Sequence, residues 1–224
     1  MSSKAREEIL GRLKTAKRNL PAPRPARPAL SEINLDREQM LQRFTAELTL
    51  QTGSVYKVQS PGDALRILSE ITAAEGIRSV IATGNDMLDV DLRAFGEANH
   101  ITLHTLDDLP DREALREAAF TADAGITSAD FAIAETGTVG IIFNRHQPRL
   151  ASIAPPVHIA IIPIERLFPI YEDAIVKVFG GTGEIPSQFS FITGPSATGD
   201  IQAIQFKGMH GPTKMIVIFI MGQG

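Results

Sequence analysis

Three turns in this sequence combine an acid, hydroxyls, a histidine and glycines, the residue types that move protons and hold anions. The first closes the stretch ITSADFAIAETGTVG (126–140) and contains Glu135, Thr136, Gly137 and Thr138. Glu135 is suited to act as a general base, as a nucleophile toward an activated acyl group, or as a hydrogen-bond acceptor for a substrate. It is equally suited to accept turn amides or to pair with an arginine such as Arg145 or Arg149. The second turn, TGPSATGDI (193–201), offers Gly194, Ser196, Thr198 and Asp200. Any of these hydroxyls or the acid fits the cap of a following short helix, whose free amides attract phosphate or carboxylate. A capped turn without a ligand fits the same residues. The third, GMHGP (208–212), sets His210 between glycines just before an apolar run, a placement open to proton transfer or to a structural bond with a carbonyl.

Other signals are weaker. GGTG (180–183) has glycines but follows a helical pattern, so it is not a dinucleotide fingerprint, and no Walker-type lysine is present. His100 and His104 fall on or beside a strand, and no helix carries two histidines four apart, so a metal is not expected. Asp86, Asp89 and Asp91 read as an exposed acidic face. His158, inside an apolar strand, reads as a satisfied core histidine.

The elements that must position these turns follow from periodicity. Ala5, Ile9, Leu13, Ala16 and Leu20 recur at helical spacing, and PAPRPARP (21–28) then favours an extended, semi-rigid linker. From Leu35 onward helix and strand alternate: helix 36–48, strand 54–58, a helix opened by Ser60 and ended by Gly76, and strand 79–82. Helix 86–99, strand 101–105 and helix 111–122 complete this half. In Thr127–Asp130 the spacing matches a capping box, which predicts a turn of helix passing into a strand over 131–135. Apolar runs 139–143 and 157–162 are separated by turns too short for crossover helices, so antiparallel neighbours are expected there. Helix 170–179 stops at Gly180, and 189–193 and 215–221 have the composition of central strands. A strand-end carboxylate such as Glu135 falls where α/β folds usually bind ligands. The expected fold is α/β, a mainly parallel mixed sheet with helices on both faces.

Charge is unevenly spread: residues 1–29 hold eight Lys/Arg against two Glu, or +6, and the remainder 14 against 24, or −10, summing to −4. An acidic main body argues against nucleic acid as the principal ligand. The basic arm suits docking on that body, on a sister subunit or on a partner, and equally a solvated helix. Without cysteine the chain offers no thiol nucleophile and no cysteine-ligated cluster. With no signal-like segment and no apolar run of spanning length, a cytoplasmic protein without a membrane span is expected.

ITSADFAIAETGTV, RLASIAPPVHIAII (149–162), ITGPSATGDI and GMHGP together resemble the LUD domain family of lactate-utilisation proteins, in particular those of the protein C type. The resemblance covers most of 35–221, so residues 1–30 are expected to form a basic helix and linker and 31–224 the LUD domain. It implies a fold related to sugar-phosphate isomerases and CoA transferases, and a role in oxidising L-lactate to pyruvate beside iron–sulfur partner proteins. Any cluster would then belong to those partners and no cofactor to this chain. By analogy with the Glu-x-Gly turn of CoA transferases, Glu135 and Gly137 form a similar turn. Where the family usually has Arg and Glu, this sequence has Ala197 and Gln202, and losing the arginine removes a clamp for an anion. The resulting expectation is a pocket in which turn amides and the Ser196 and Thr198 hydroxyls grip a small anionic metabolite while Glu135 or His210 moves a proton. A non-catalytic scaffold and a stand-alone isomerase or acyl transferase remain the alternatives, and homo-oligomerisation is left open.

Overall fold

The computed structural model of the protein describes residues 3–15, 34–83, 90–105, 108–144, 147–180, 186, 188–199 and 205–222. The chain forms two compact units, Met1–Glu32 and Ile33–Gly224. The first contains helix α1 (Ser3–Thr15), on which Arg12 pairs with Glu8 one turn earlier. The proline run 21–28 lies outside the described residues, as do Asp86, Asp89 and Gln202.

The second unit opens with α2 (Arg37–Leu50). Asp36 accepts the Gln39 amide while the Gln39 side chain accepts the Asp36 amide, a reciprocal cap that fixes the start. Then follow β1 (Ser54–Val58) and α3 (Pro61–Glu75), which is capped by the Ser60 hydroxyl and ends where Gly76 turns left-handed at φ 67°. Next come β2 (Ser79–Ala82), α4 (Leu92–Ala98), β3 (Thr102–Thr105), α5 (Arg112–Thr121) and β4 (Ala124–Ser128). The chain continues with β5 (Phe131–Ile133), β6 (Thr138–Ile142), α6 (Leu150–Ile153), β7 (Val157–Pro163), β8 (Leu167–Phe168) and α7 (Tyr171–Phe179). It closes with β9 (Phe189–Ile192), β10 (Ala197–Gly199), β11 (Gln205–Lys207) and β12 (Lys214–Ile220).

Six strands form an all-parallel sheet in the order β1-β12-β7-β4-β2-β3. Alternation along these strands divides the core. On one face Val80, Ala82, Ile126, Ile159 and Ile218 meet Leu68 and Ile71 of α3 and Phe95 of α4. On the other, Ala160, Ile162, Val217 and Phe219 meet Leu41, Phe44 and Leu48 of α2, with the Phe44 and Phe219 rings edge to face at 5.0 Å. Ile81 packs beneath α5 and α6 on this same side. Helices thus cover both faces, which a fully buried parallel sheet requires.

Part of the second face is covered by a further sheet, β8-β5-β6-β9. Its β5–β6 and β6–β9 pairs are antiparallel, and β8 joins β5 in parallel. Ala132 and Val139 point to the six-stranded sheet, while Phe131 and Ile133 point to α7. The expected antiparallel pairing is therefore present, but in this sheet. Segment 157–162, expected beside it, lies in the main sheet parallel to β4, and the crossover that permits this is the β5–β6 hairpin plus α6 rather than one long helix. Segment 189–193 also differs from expectation: β9 has one neighbour, β6, and leaves Phe189 41% exposed, so it is an edge strand.

The helical turn expected at 127–130 is absent, since Thr127 and Ser128 end β4. The capping spacing is real, but its polar groups find tertiary partners instead: Thr127 bonds His158, and the Asp130 carboxylate accepts the Ile142 amide. No helix starts within 193–199 either, because Ala197–Gly199 pairs antiparallel with Gln205–Lys207.

Where α6 crosses β4 the backbones nearly touch. A Cβ at Gly125 would lie 1.7 Å from the Ala151 carbonyl oxygen, so only glycine admits this contact. Gly125→Ala is expected to destabilise the fold by about 3 kcal/mol or more. Urea unfolding of the two proteins measures this, and a loss below about 0.5 kcal/mol would show that α6 is free to lift.

Candidate functional site

The three turns gather at one end of the molecule. Residues 51–53 join α2 to the start of β1, so the last turn of α2 marks the amino-terminal rim of the six-stranded sheet. Gly137, at φ 63°, packs so closely here that a Cβ would stand 2.5 Å from the Leu48 nitrogen. A Cβ at Gly194 would meet the Gln51 side chain at 2.7 Å, and the Lys207 ammonium donates to the Thr52 hydroxyl. Hydroxyls run from Thr136 to Thr138 (2.7 Å) and on to Thr193 (2.9 Å), tying the first turn to the second. The second and third are joined by backbone, Ser196 donating to Pro212 O (2.7 Å) and Gly208 to Ser196 O (3.0 Å).

Within that seam the expected actors differ in setting. Glu135 is half-buried, its amide donates to Pro169 O (3.1 Å), and its carboxylate has no ion pair among the described residues. The pairing with Arg149 weighed above is absent, and Arg145 lies outside the described residues. His210 is exposed, Thr198 lies in β10 opposite Phe206, and Asp200 is outside the described residues.

A second polar cluster, missed in the sequence, occupies the opposite rim. After β2 the chain moves outward to β3, whereas from β4 it moves the other way to β7 and β12. Such a reversal opens a crevice at the carboxyl ends of the two diverging strands, the usual ligand position in open α/β sheets. Here the Thr83 hydroxyl accepts the Ser128 amide (3.4 Å), and the Ser128 hydroxyl donates to Gln147 Oε1 (2.6 Å). Gln147 Nε2 turns toward Ser128 O and Asp130 Oδ2, both at 3.4 Å, and the Ile142 amide donates to the same Oδ2 at 2.6 Å. Arg166 reaches in after β7 and donates to Ala129 O at 3.2 Å.

Burial pushes the Asp130 carboxyl above its ordinary value, opposed by the Ile142 amide, the Arg166 charge and Gln147. Oδ1 takes no hydrogen bond from a described residue, which leaves it for a ligand proton. A half-buried acid with one oxygen fixed by amides and the other open can exchange a proton with a hydroxyl or carboxyl group. No sequence pattern marks Thr83 and Gln147 as its neighbours. Asp130 was visible in the stretch 126–140, but as the partner of Thr127 in a capping box. Among the described residues no group of three or more His, Asp or Glu side chains is arranged to hold a metal, and no helix is long and apolar enough to cross a membrane.

Under α6, His158 is buried in β7. Its Nε2 lies 2.9 Å from the Thr127 hydroxyl, but Nδ1 has no partner among the described residues, so this core histidine is only half satisfied. Desolvation lowers its pKa to about 4.

Residues 41–220 match the family model described as LUD domain. Lactate utilization protein C of Shouchella clausii is 32% identical over 169 residues, 74% of this chain and 72% of that protein. Other proteins of that name match over about half of their own length. Lactate utilization protein B of the same organism is 37% identical over 94 residues, 40% of this chain but 20% of that protein. Among solved structures, a DUF162 family protein of Deinococcus radiodurans superposes with TM-score 0.57 over 84% of this chain and 99% of that one. At 19% identity that likeness shows the fold alone.

Because His158 is neutral when folded, unfolding lets it take up a proton at any pH below 6.5. Its contribution to stability is complete above pH 6.5 and falls as the pH drops toward about 4. Asp108 and Asp123, held below 3.8 by hydrogen bonds to Thr105 and Arg78 respectively, act at lower pH, and Asp130 acts in the opposite sense. Urea unfolding from pH 7 to pH 4 should show a loss of roughly 3 kcal/mol in the wild type that His158→Gln lacks. Parallel curves for the two proteins would mean that the ring is hydrated.

Proposed function

This chain belongs to the LUD domain family, and from that premise we propose that it serves lactate utilisation as a component that binds a small anionic metabolite. The observation that carries the pathway is the likeness to lactate utilization protein C along nearly three quarters of both chains. The ligand site is the crevice between β2 and β4. There Asp130 Oδ1 takes or returns the proton of a hydroxy or carboxylic acid, while the Ile142 amide and the Gln147 side chain hold the other oxygen of Asp130 in place. Burial raises the Asp130 pKa, which makes its carboxylate a better proton acceptor than an ordinary surface aspartate.

Any iron–sulfur cluster of the assembly belongs to partner proteins in this reading, because the sequence has no cysteine with which to hold one. The likeness of a stretch of lactate utilization protein B to this chain supports a shared assembly. The basic arm is the docking element of that assembly. A cytoplasmic setting accords with the absence of cysteine.

The amino-end seam is the second reading, favoured by the Thr136–Thr138–Thr193 hydroxyl chain and by a Glu135 carboxylate that has no ion pair among the described residues. In that reading Glu135 or His210 moves the proton, and Gly194, Ser196 and Thr198 hold the anion.

Deleting the gene should abolish growth on L-lactate, with wild type and Glu135→Gln restoring it and Asp130→Asn slowing it at least about tenfold. Growth of the deletion strain at the normal rate would end the lactate assignment. Rescue by Asp130→Asn but not by Glu135→Gln would move the site to the amino-end seam. Separately, removing residues 1–29 should abolish co-purification with the iron–sulfur partner, and undiminished recovery would free the arm of that role.

A further inference from the structure

Between the first turns of α5 and the residues Asn144, Pro148, Arg149 and Leu150 lies a cavity of about 680 Å³. Three arginines line it, Arg112, Arg116 and Arg149, against one acid, Glu113. Glu113 and Arg116 stand 3.7 Å apart and offset each other. Arg112 and Arg149 form no ion pair among the described residues, in a chain whose net charge is −4. Two arginines without an acidic partner among the described residues thus share one concavity.

We propose that this cavity is a binding site for an organic dianion, a compact molecule carrying either a phosphate monoester or two carboxylates. Charge sets the first requirement: the lining carries a surplus of two positive charges, which a dianion neutralises. Guanidinium forks match the paired oxygens of carboxylate and phosphate, so arginine favours these anions over chloride. Size sets the second, because the cavity falls within the range of metabolite pockets and exceeds what a bare inorganic ion fills. The side chains of Leu115, Pro148 and Leu150 supply an apolar wall for the organic body.

The cavity borders the crevice without being part of it. Gln147, whose amide group holds Ser128 and Asp130, lies between Asn144 and Pro148 of the cavity wall. An anion on Arg149 would therefore reach the crevice through the backbone that carries Gln147. The inference goes beyond the lactate reading and does not depend on it.

Calorimetric titration of the full chain with sn-glycerol 3-phosphate and with succinate tests this. At least one should bind one to one with Kd below about 1 mM, and Arg112→Gln and Arg149→Gln should each weaken it roughly tenfold. Arg66→Gln, whose arginine pairs with Glu70 on α3, should bind as the wild type does. The stronger probe distinguishes phosphate ester from dicarboxylate. Absence of saturable binding by either probe overturns the proposal. So does binding that survives both arginine substitutions, or that Arg66→Gln weakens equally. Thermal melts of each variant without ligand separate lost binding from lost fold, and growth on lactate is read independently.

Discussion

Every residue of β4 is buried, and two of its five, Thr127 and Ser128, carry hydroxyl groups. A strand covered on both faces and paired on both edges cannot hand such groups to water, and each unsatisfied one would cost about 1–3 kcal/mol. The surrounding elements are placed to meet that demand. Thr127 is met by His158 from β7, Ser128 by Thr83 after β2 and by Gln147. Gly125 meets the same crowding by having no side chain at all, which lets α6 lie on the strand. The crossovers after β2 and after β4 are thereby pinned to one strand, and Asp130, just past its end, keeps one carboxylate oxygen without a bond from a described residue.

What the sequence made legible follows from the range of the interactions involved. The strands at 54–58 and 79–82, the Ser60 cap and the Gly76 stop rest on neighbours within a few residues, and the structure has them at those positions. Thr127–Asp130 failed for the opposite reason. Its spacing satisfied a local rule, but its hydroxyl and carboxylate reach residues 31 and 12 positions away. The same holds for β7, whose apolar run could be read as a strand but not assigned to a sheet. Its place depends on a crossover built from a hairpin, which no periodicity announces. Of the site, Glu135, Ser196 and His210 stood out because glycines surround them. Glycine marks backbone crowding, and crowding is what those turns show, against Leu48, Gln51 and Thr213. Asp130 was masked by its apparent role as a cap, and Gln147 by having no pattern at all.

Seven residues of β7 separate the two rims, about 20 Å at the usual rise of a strand. A metabolite the size of lactate cannot touch His210 before β12 and Asp130 beyond β4 at the same time. The two sets of residues are therefore rival sites, or sites with different occupants, and never halves of one. The direction of the sheet favours the carboxyl end for chemistry, since ligands of open α/β sheets lie beyond the carboxyl ends of the diverging strands. At the amino end, backbone bonds between Ser196, Gly208 and Pro212 and the hydroxyl chain through Thr138 tie the turns into a seam between the small sheet and the large one. An anion seeking donors finds at the other rim Arg112 and Arg149, which form no ion pair among the described residues.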